Sequence, residues 1–206
     1  MAEAGRVIAG SAGGIRLLAP GPGTRPLADR VKQAVFGALE PDLPDAAVLD
    51  LFAGSGGAAI EALSRGAERA VLVEHDANAV RVIGENLRRA GVADRATVVR
   101  RDVARFLAAG PDANDAAGPA GRLDAWPFDL VIVDPPYAER AQREAVLARL
   151  GAPGTPDAPA VLRRGGRVIV THFWKEPPPG TVGLLASERV RRFGETAVAF
   201  YRYGED

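Results

Sequence analysis

Residues Asp134–Tyr137 combine a carboxylate, two prolines and an aromatic ring directly after an apolar run. Consecutive prolines stiffen a turn and fix the carbonyl group of the residue before each of them. The carboxylate of Asp134 and a fixed proline carbonyl can therefore accept both hydrogens of an exocyclic amine, and the Tyr137 ring can stack on a base for about 1–3 kcal/mol. Holding the hydrogens this way restores sp³ character to the nitrogen and aims its lone pair at an electrophile. The candidate catalytic residues are Asp134, Pro135, Pro136 and Tyr137.

A glycine-rich turn lies within Val48–Ala59, between an apolar run and a segment of helical periodicity. Gly54 and Gly56 let the backbone approach a ligand that any Cβ atom would hold away. The free N–H groups of the following helix would then face that ligand. Gly54–Ala59 also fits the G-x-G-x-x-A nicotinamide fingerprint, but that match is weak alone and no hydride-accepting site accompanies it. The turn predicts a ligand site or, more simply, a compact strand-to-helix connection.

Three acids occupy positions where a nucleoside ligand would need them. Glu74 follows Gly54 by about twenty residues, where a carboxylate accepts hydrogen bonds from both ribose hydroxyls; the simpler interpretation is a surface acid that caps a helix. Asp102 would meet the exocyclic amine of an adenine, or would be an N-cap. Asp50 would meet a ligand ammonium group, or would only stabilise the glycine turn.

A carboxylate-lined nucleoside pocket beside an amine clamp requires a methyl donor, and S-adenosylmethionine fits that requirement. Its sulfonium is already activated, so transfer is an in-line displacement that depends mainly on positioning and desolvation. Neither a metal ion nor a covalent intermediate is needed. The base must leave its stack to reach the pocket.

The elements that position these groups alternate between strands and helices. Strands are predicted at Val48 and its neighbours, Arg69–Glu74, Ala96–Arg100, Phe128–Val133, Gly166–Thr171, Leu184–Val190 and Thr196–Tyr203. Helices are predicted over Leu27–Leu39, from the glycine turn to about Gly66, from an Asp76 N-cap to Gly91, over Val103–Leu107 and over about Glu139–Leu150. Right-handed crossovers then give a doubly wound α/β sheet that binds ligands beyond the carboxyl ends of its strands. Gly110–Ala125 lacks an apolar period and is expected to be a mobile surface loop.

The first forty residues form a basic extension. Arg6–Gly10 and Ile15–Leu18 predict a β-hairpin, followed by the first helix. The charged residues between Gly5 and Gly37 are five cations and one acid, namely Arg6, Arg16, Arg25, Arg30, Lys32 and Asp29. Such a surface could clamp a phosphate backbone or could be an ordinary solvated face. We divide the chain into this extension, residues 1–40, and a main domain, residues 41–206.

The composition excludes several classes of protein. With no cysteine and two histidines among 206 residues, disulfides and thiolate metal sites are excluded and a zinc site is not expected. The net charge is zero, so a nucleic-acid partner must be held by a local basic patch. Without a long apolar run or a secretion signal, we expect a cytoplasmic protein with no membrane partner.

Two groups of motifs carry a resemblance to known proteins. Asp50–Gly56 together with Asp134–Tyr137 resembles the class I S-adenosylmethionine-dependent amino-methyltransferases. Further runs are similar to the RsmD family, bacterial enzymes that methylate a guanine N2 in 16S rRNA; these runs are Arg6–Gly10, Thr24–Pro26 with Asp29–Val31, Glu61–Gly66, and Gly194–Thr196 leading into Tyr201. The resemblance covers almost the whole chain, and Gly110–Ala125 looks like an insertion.

The resemblance implies a Rossmann-like sheet of seven strands whose last strand is antiparallel, with the hairpin as a small RNA-facing extension. The candidate donor-binding residues are Asp50, Phe52, Ala53, Gly54, Ser55, Gly56, Glu74, His75, Asp102 and Val103. The candidate RNA-binding residues are Arg6, Arg16, Thr24, Arg25, Arg30 and Lys32. The implied substrate is 16S rRNA within an assembled or assembling small subunit, and we expect a monomer that needs no metal.

Two other functions stay open at this point. An adenine-N6 methyltransferase acting on DNA or RNA would use the same clamp, and only the N-terminal resemblance favours guanine N2. A non-catalytic RNA-binding module could keep the fold, although the intact acids and the intact Asp134–Tyr137 motif oppose it.

Overall fold

The computed structural model describes residues 3–21, 27–110, 116–117, 126–136, 139–155 and 158–204. The described α-helices are α1 (Asp29–Leu39), α2 (Gly57–Ser64), α3 (Ala77–Ala90), α4 (Val103–Ala109) and α5 (Arg140–Leu150), with short 3₁₀ helices at Glu40–Asp42 and Ala93–Arg95. None of the helices in this part of the chain is long and apolar enough to cross a membrane.

The described strands form a two-stranded hairpin and one large sheet. The hairpin pairs β1 (Glu3–Arg6) with β2 (Arg16–Leu18). The strands of the sheet are β3 (Ala47–Leu51), β4 (Arg69–Glu74), β5 (Ala96–Arg100), β6 (Ala116–Ala117), β7 (Phe128–Val133), β8 (Leu162–Phe173), β9 (Thr181–Val182), β10 (Leu185–Phe193) and β11 (Thr196–Tyr203).

The strand order in the sheet is β6-β5-β4-β3-β7-β8-β11-β10-β9. Strands β5, β4, β3, β7 and β8 are parallel, and β11 lies antiparallel between β8 and β10. This confirms the predicted α/β sheet with an antiparallel last strand, to which β6 and β9 add a short strand at each edge. The direction of winding reverses between β3 and β7, and a crevice for ligands forms at such a switch point.

Strand β6 lies within Gly110–Ala125, which was expected to be a mobile surface loop. Its two residues pair antiparallel with Val98 and Val99 of β5. Two alanines have no apolar period of their own, so pairing with an available sheet edge decides their conformation. Residues 111–115 and 118–125 lie outside the described part of the chain.

Both faces of the parallel strands are covered. On one face, core residues such as Val48 pack against α1, α2, α3 and the hairpin. On the other face, residues such as Leu49 pack against α4 and α5. The Trp126 ring packs into this second layer, with its centroid 6.3 Å from that of Phe106 and 6.2 Å from that of Phe128. Two-sided burial explains why the strands are continuous apolar runs in the sequence.

The N-terminal hairpin differs from its prediction because part of the first predicted strand bonds elsewhere. The backbone N–H groups of Ile8 and Ala9 donate to the carboxylate of Glu61 at 2.6 and 3.1 Å. Glu61 lies in α2 and is fully buried, so Ile8 and Ala9 are held by a helix side chain, while Val7 still pairs across the hairpin with Ile15 at 2.9 Å.

Strands β8 and β10 extend beyond their predicted limits. Pairing with β11 runs from Arg167 opposite Arg202 to Phe173 opposite Thr196, which carries β8 past its apolar core. The other α-helices and sheet strands agree with the predictions to within two residues.

Candidate active site

The glycine turn follows β3 and leads into α2. Phe52, Gly54 and Gly56 have φ angles of 65°, 54° and 76°. A bulky aromatic residue rarely adopts a positive φ, and such strain is concentrated at ligand-binding turns. A Cβ atom on Gly56 would lie 3.2 Å from Leu72 and 3.4 Å from Ile83. Gly56 therefore serves the close packing beneath the turn as well as the turn itself.

Glu74, at the end of β4, holds this turn in place. One carboxylate oxygen accepts the Gly54 N–H at 2.9 Å, and the other accepts the N–H groups of His75 and Asp76 at 2.8 and 2.9 Å. A carboxylate offers about four lone-pair sites, so these three donors leave about one for a ligand. Glu74 can thus accept a hydroxyl while it supports the backbone.

Asp50 lies in β3, is 1% exposed and accepts the Ala59 N–H at 3.1 Å. Burial, together with the smaller effect of the nearby carboxylates of Asp134 and Glu74, raises the pKa of Asp50 to about 8, while the Ala59 hydrogen bond opposes that rise. Such an acid ionises readily only when a cation approaches, which suits the predicted ammonium contact. The bond to Ala59 shows that it also stabilises the start of α2.

Asp134 follows β7 and therefore lies at the same end of the parallel strands as the glycine turn that follows β3. The hydroxyl of Thr171 in β8 donates to Oδ1 of Asp134. Burial raises the pKa of Asp134 to about 6, while the Thr171 hydrogen bond opposes that rise. Near neutral pH the carboxylate is therefore mostly ionised. The Thr171 hydrogen bond to Oδ1 also fixes the orientation of the carboxylate. A threonine in a strand carries no signal in the sequence, because only the β7–β8 pairing brings it to Asp134.

The two prolines continue the clamp. Pro135 is buried and Pro136 is exposed. The Pro136 carbonyl accepts the Glu139 N–H at 2.9 Å as the chain turns toward α5. The Pro135 carbonyl is therefore the better candidate to accept an amine hydrogen beside Asp134. Tyr137, the predicted stacking ring, lies outside the described residues.

The turn and the clamp line one cleft of about 690 Å³. The predicted site residues that line it are Asp50, Phe52, Ala53, Gly54, Ser55, Glu74, His75, Asp134, Pro135 and Pro136. Ala4, Leu27 and Lys32 close it from the side of the N-terminal extension. This volume lies within the usual range for a small-molecule or cofactor site.

Three predicted donor-binding residues, Gly56, Asp102 and Val103, are not among the described residues that line the cleft. Asp102 accepts the Arg105 N–H at 3.0 Å as the N-cap of α4, which is the simpler of its two interpretations. Val103 is 4% exposed and packs in the core. A contact between Asp102 and an adenine amine stays a prediction.

Asn86 is a further residue beside the site that the sequence analysis missed. Its fully buried amide accepts the Leu18 N–H at 2.8 Å and donates to the carbonyls of Leu18 and Ser55, both at 2.9 Å. It therefore ties the end of the hairpin to the glycine turn. The available signal was a polar residue on the apolar face of α3, beside Ile83 and Leu87, since buried amides need specific partners.

The cations of the extension are less available than their number suggests. Arg6 lies 3.3 Å from Asp29, and Arg16 lies 2.9 Å from Glu3. Arg6, Arg16 and Arg30 are exposed. Two further candidates lie outside the described residues, namely Thr24 and Arg25.

Lys32 does not fit the predicted phosphate contact. Its side chain is 2% exposed, and its ammonium group donates to the Arg6 carbonyl and lies 3.5 Å from Asp29. Burial lowers the pKa of Lys32. The residue holds α1 against the hairpin and borders the cleft from inside.

The reversal of strand order beside the cleft and the antiparallel β11, with Asp134–Pro136 and the glycine turn lining one cleft, define a Rossmann-like class I methyltransferase fold. A family model described as "Conserved hypothetical protein 95" matches residues 5–202. The chain belongs to this family, which is the RsmD family whose motifs it resembles.

Curated relatives agree with this assignment. A Bacillus subtilis protein named "Putative rRNA methyltransferase YlbH" is 36% identical over 198 residues, covering 96% of this chain and 98% of that protein. The Escherichia coli "Ribosomal RNA small subunit methyltransferase D" is 36% identical over 142 residues, covering 68% of this chain and 64% of its own length.

Solved structures share the fold. A protein titled "Putative methyltransferase yhhF from Escherichia coli" superposes with a TM-score of 0.79 at 29% identity, covering 100% of both chains. An RNA methyltransferase from Salinibacter ruber, solved with S-adenosyl-L-homocysteine, superposes with a TM-score of 0.59 at 18% identity, covering 88% of this chain and 95% of that chain. The second comparison concerns the fold alone.

Proposed function

We propose that this chain transfers a methyl group from S-adenosylmethionine to the exocyclic N2 of a guanine in 16S rRNA. The observation that carries the proposal is the position of Asp134 and Pro135 in the same cleft as the glycine turn that Glu74 supports. Family membership and the names of the relatives support the broader function, and the chain is an S-adenosylmethionine-dependent rRNA methyltransferase.

The glycine-turn side of the cleft would hold the donor. Glu74 has a lone-pair site for a ribose hydroxyl, and Asp50 offers a buried acid to an ammonium group. A Cβ atom on Gly54 would meet only the Phe52 carbonyl oxygen, at 3.9 Å, so the backbone there borders open space. When bound, S-adenosylmethionine supplies a methyl group that its sulfonium has already activated. These residues supply position and exclude water.

The clamp side would hold the guanine amine. Asp134, mostly ionised near neutral pH and oriented by Thr171, accepts one amine hydrogen, and the Pro135 carbonyl accepts the other. Both acceptors pull the hydrogens away from the plane of the base, so the nitrogen lone pair becomes available for attack. The carboxylate also stabilises the positive charge that develops on the nitrogen during transfer.

The N-terminal extension would hold the RNA. The exposed Arg6, Arg16 and Arg30 of the extension support contact with rRNA. A separate RNA-binding role for the extension supports the division of the chain into residues 1–40 and 41–206. We further propose that the chain acts on 16S rRNA within the small subunit, in the cytoplasm. We also propose that it acts as a monomer and needs no metal ion.

The proposal is tested with small ribosomal subunits that lack the modification and with S-adenosylmethionine carrying a labelled methyl group. Nucleoside mass spectrometry should find the label in one guanine, on N2. Asp134→Asn should abolish the label while calorimetry still detects donor binding. Label only in adenine would support the adenine-N6 alternative, and donor binding without any transfer by the unmodified chain would support the RNA-binding module.

A further inference from the structure

A group of cations and aromatic rings lies beside the clamp at the same edge of the sheet. Beyond Thr171, which contacts Asp134, strand β8 continues to Phe173 and leads into Trp174. At about 3.3 Å per strand residue, Trp174 lies roughly 10 Å beyond Thr171. The Trp174 N–H donates to the Glu195 carbonyl at 3.0 Å, which joins this segment to the turn between β10 and β11. We call the group the rim patch, and its residues are Trp174, Lys175, Arg191 and Arg192.

Two of the three cations of the rim patch, Lys175 and Arg192, are pre-positioned on an aromatic ring. The Arg192 guanidinium carbon lies 3.5 Å from the Trp174 ring centroid, and Lys175 Nζ lies 5.3 Å from it. Arg192 also donates from Nε to the Gly194 carbonyl at 2.8 Å. Cations held in this way lose less side-chain freedom when they bind an anion, so more of the contact free energy remains.

The charge balance at this edge is positive. Lys175, Arg191 and Arg192 are exposed, and Arg189, two residues before Arg191 in β10, has its guanidinium 4.4 Å from the Phe200 ring centroid. The acids in the same segments are Glu176, Glu195 and Glu188. Glu188 is already paired, at 2.6 Å with Arg167 and 2.7 Å with Arg202, so it does not offset the patch.

The rim patch offers phosphate contacts in addition to those that the N-terminal extension can make. A base drawn out of its stack must be held by the backbone around it, and phosphate contacts supply most such affinity. In the extension, Arg6 and Arg16 are in ion pairs with acids and Lys32 is buried. The chain has no net charge, so local cations must attract the polyanion.

We infer that the rim patch binds the phosphate backbone of the RNA substrate on the clamp side of the cleft, opposite the extension. This inference rests on the proposed function and assigns the substrate a second contact surface. The extension and the rim patch would then hold the strand on both sides of the target base.

The test compares two charge-removing double variants. Arg191→Gln with Arg192→Gln removes two cations of the rim patch, neither of which lines the cleft. The control, Arg88→Gln with Arg89→Gln, removes two exposed cations at the C-terminal end of α3, at the opposite edge of the sheet; Arg88 is ion-paired with Glu85 at 2.7 Å. Binding of 16S rRNA is measured as a function of salt by anisotropy, and KM and kcat are measured on small subunits.

For the rim variant we expect KM for the RNA to rise about tenfold and the slope of log K against log salt to fall by about 0.7–0.9 per lost contact. The kcat and the affinity for S-adenosylmethionine should stay unchanged, and the control should match the unmodified chain. Trp174→Leu keeps the charges but removes their platform, so it should raise KM while leaving the salt slope intact.

Two outcomes would overturn the inference. One is a rim variant whose KM and salt slope equal those of the control. The other is a raised KM with an unchanged slope in the Arg191→Gln, Arg192→Gln variant, which would indicate a contact with a ribosomal protein. Failure of the proposed function is distinguishable, because the unmodified chain would then bind 16S rRNA without methylating it, and the slope comparison would still decide the role of the rim patch.

Discussion

Two acids of the cleft differ in protonation near neutral pH. The pKa of Asp50 is raised to about 8 and that of Asp134 to about 6, so the first is mostly neutral and the second mostly charged. The difference has a physical cause, since Asp50 is more deeply buried and lies near two other carboxylates, whereas Thr171 donates to Asp134. Separated pKa values let two like groups take different roles in one site.

Replacing Thr171 tests the role of Asp134 at the level of a single hydrogen bond. The Thr171 hydroxyl lowers the pKa of Asp134, so Thr171→Val should raise it above about 6. Methyl transfer needs the charged form and is lost as pH falls, so the acidic limb of the single-turnover rate should move to higher pH. Thr97→Val, a buried threonine of β5, is the control. An acidic limb that does not move would show that the ionisation of Asp134 does not control the rate.

Among the elements, α2 joins the donor turn to the N-terminal extension. It begins at the glycine turn, and near its other end Glu61 accepts the N–H groups of Ile8 and Ala9. The Ser64 hydroxyl accepts the Ala12 N–H at 2.9 Å. These bonds explain why the extension packs on the cleft without sharing the sheet.

Two glycines of the hairpin loop give a matched comparison of this attachment. Gly10 and Gly14 have φ angles of +83° and +87°, but a Cβ on Gly10 would lie 1.8 Å from the Ser64 carbonyl oxygen, while one on Gly14 meets nothing within 4 Å. Both alanine variants carry the left-handed backbone cost of roughly 1–2 kcal/mol. Gly10→Ala should cost clearly more in urea unfolding and should speed amide exchange at Ile8. Equal costs would contradict the close contact with α2.

At the scale of the whole molecule, occupancy of the donor site should couple to pH through Asp50. Its native pKa lies above the unfolded value, so this group favours the unliganded fold at low pH, and that contribution is lost as pH rises toward about 8. A ligand ammonium beside Asp50 would offset the loss. S-adenosylhomocysteine should therefore raise the Tm more at about pH 8 than at about pH 6. Asp50→Asn should remove the difference, and a shift independent of pH in the unmodified chain would argue against the ammonium contact.

The sequence predicted the parts of the molecule that depend on local pattern. Buried strands, the Asp76 N-cap and the Gly91 C-cap follow from apolar runs and cap residues, and the structure has them. Contacts between distant segments could not be predicted. Thr171 reaches Asp134 only through strand pairing, and Asn86 reaches Ser55 only through packing of α3.

The same limit explains the errors. The hairpin strands differ from their predicted limits because the buried Glu61 accepts hydrogen bonds from backbone N–H groups of the first predicted strand. Lys32 lies inside because its ammonium group donates to the Arg6 carbonyl and pairs with Asp29. Charge counting treats every cation as exposed, so it cannot separate a core lysine from a surface lysine.

The placement of the two tryptophans gives this protein two separate fluorescent reporters. Trp126 is partly buried against Phe106 and Phe128, with the Arg149 guanidinium 5.6 Å from its ring centroid, and Trp174 lies under the Arg192 guanidinium at the rim. Indole emission responds to nearby charge and water, so Trp126 reports loss of the interior and Trp174 reports movement of cations at the surface. With Trp126→Phe, the emission that remains comes from the rim alone, and arrival of a polyanion becomes visible without any attached dye.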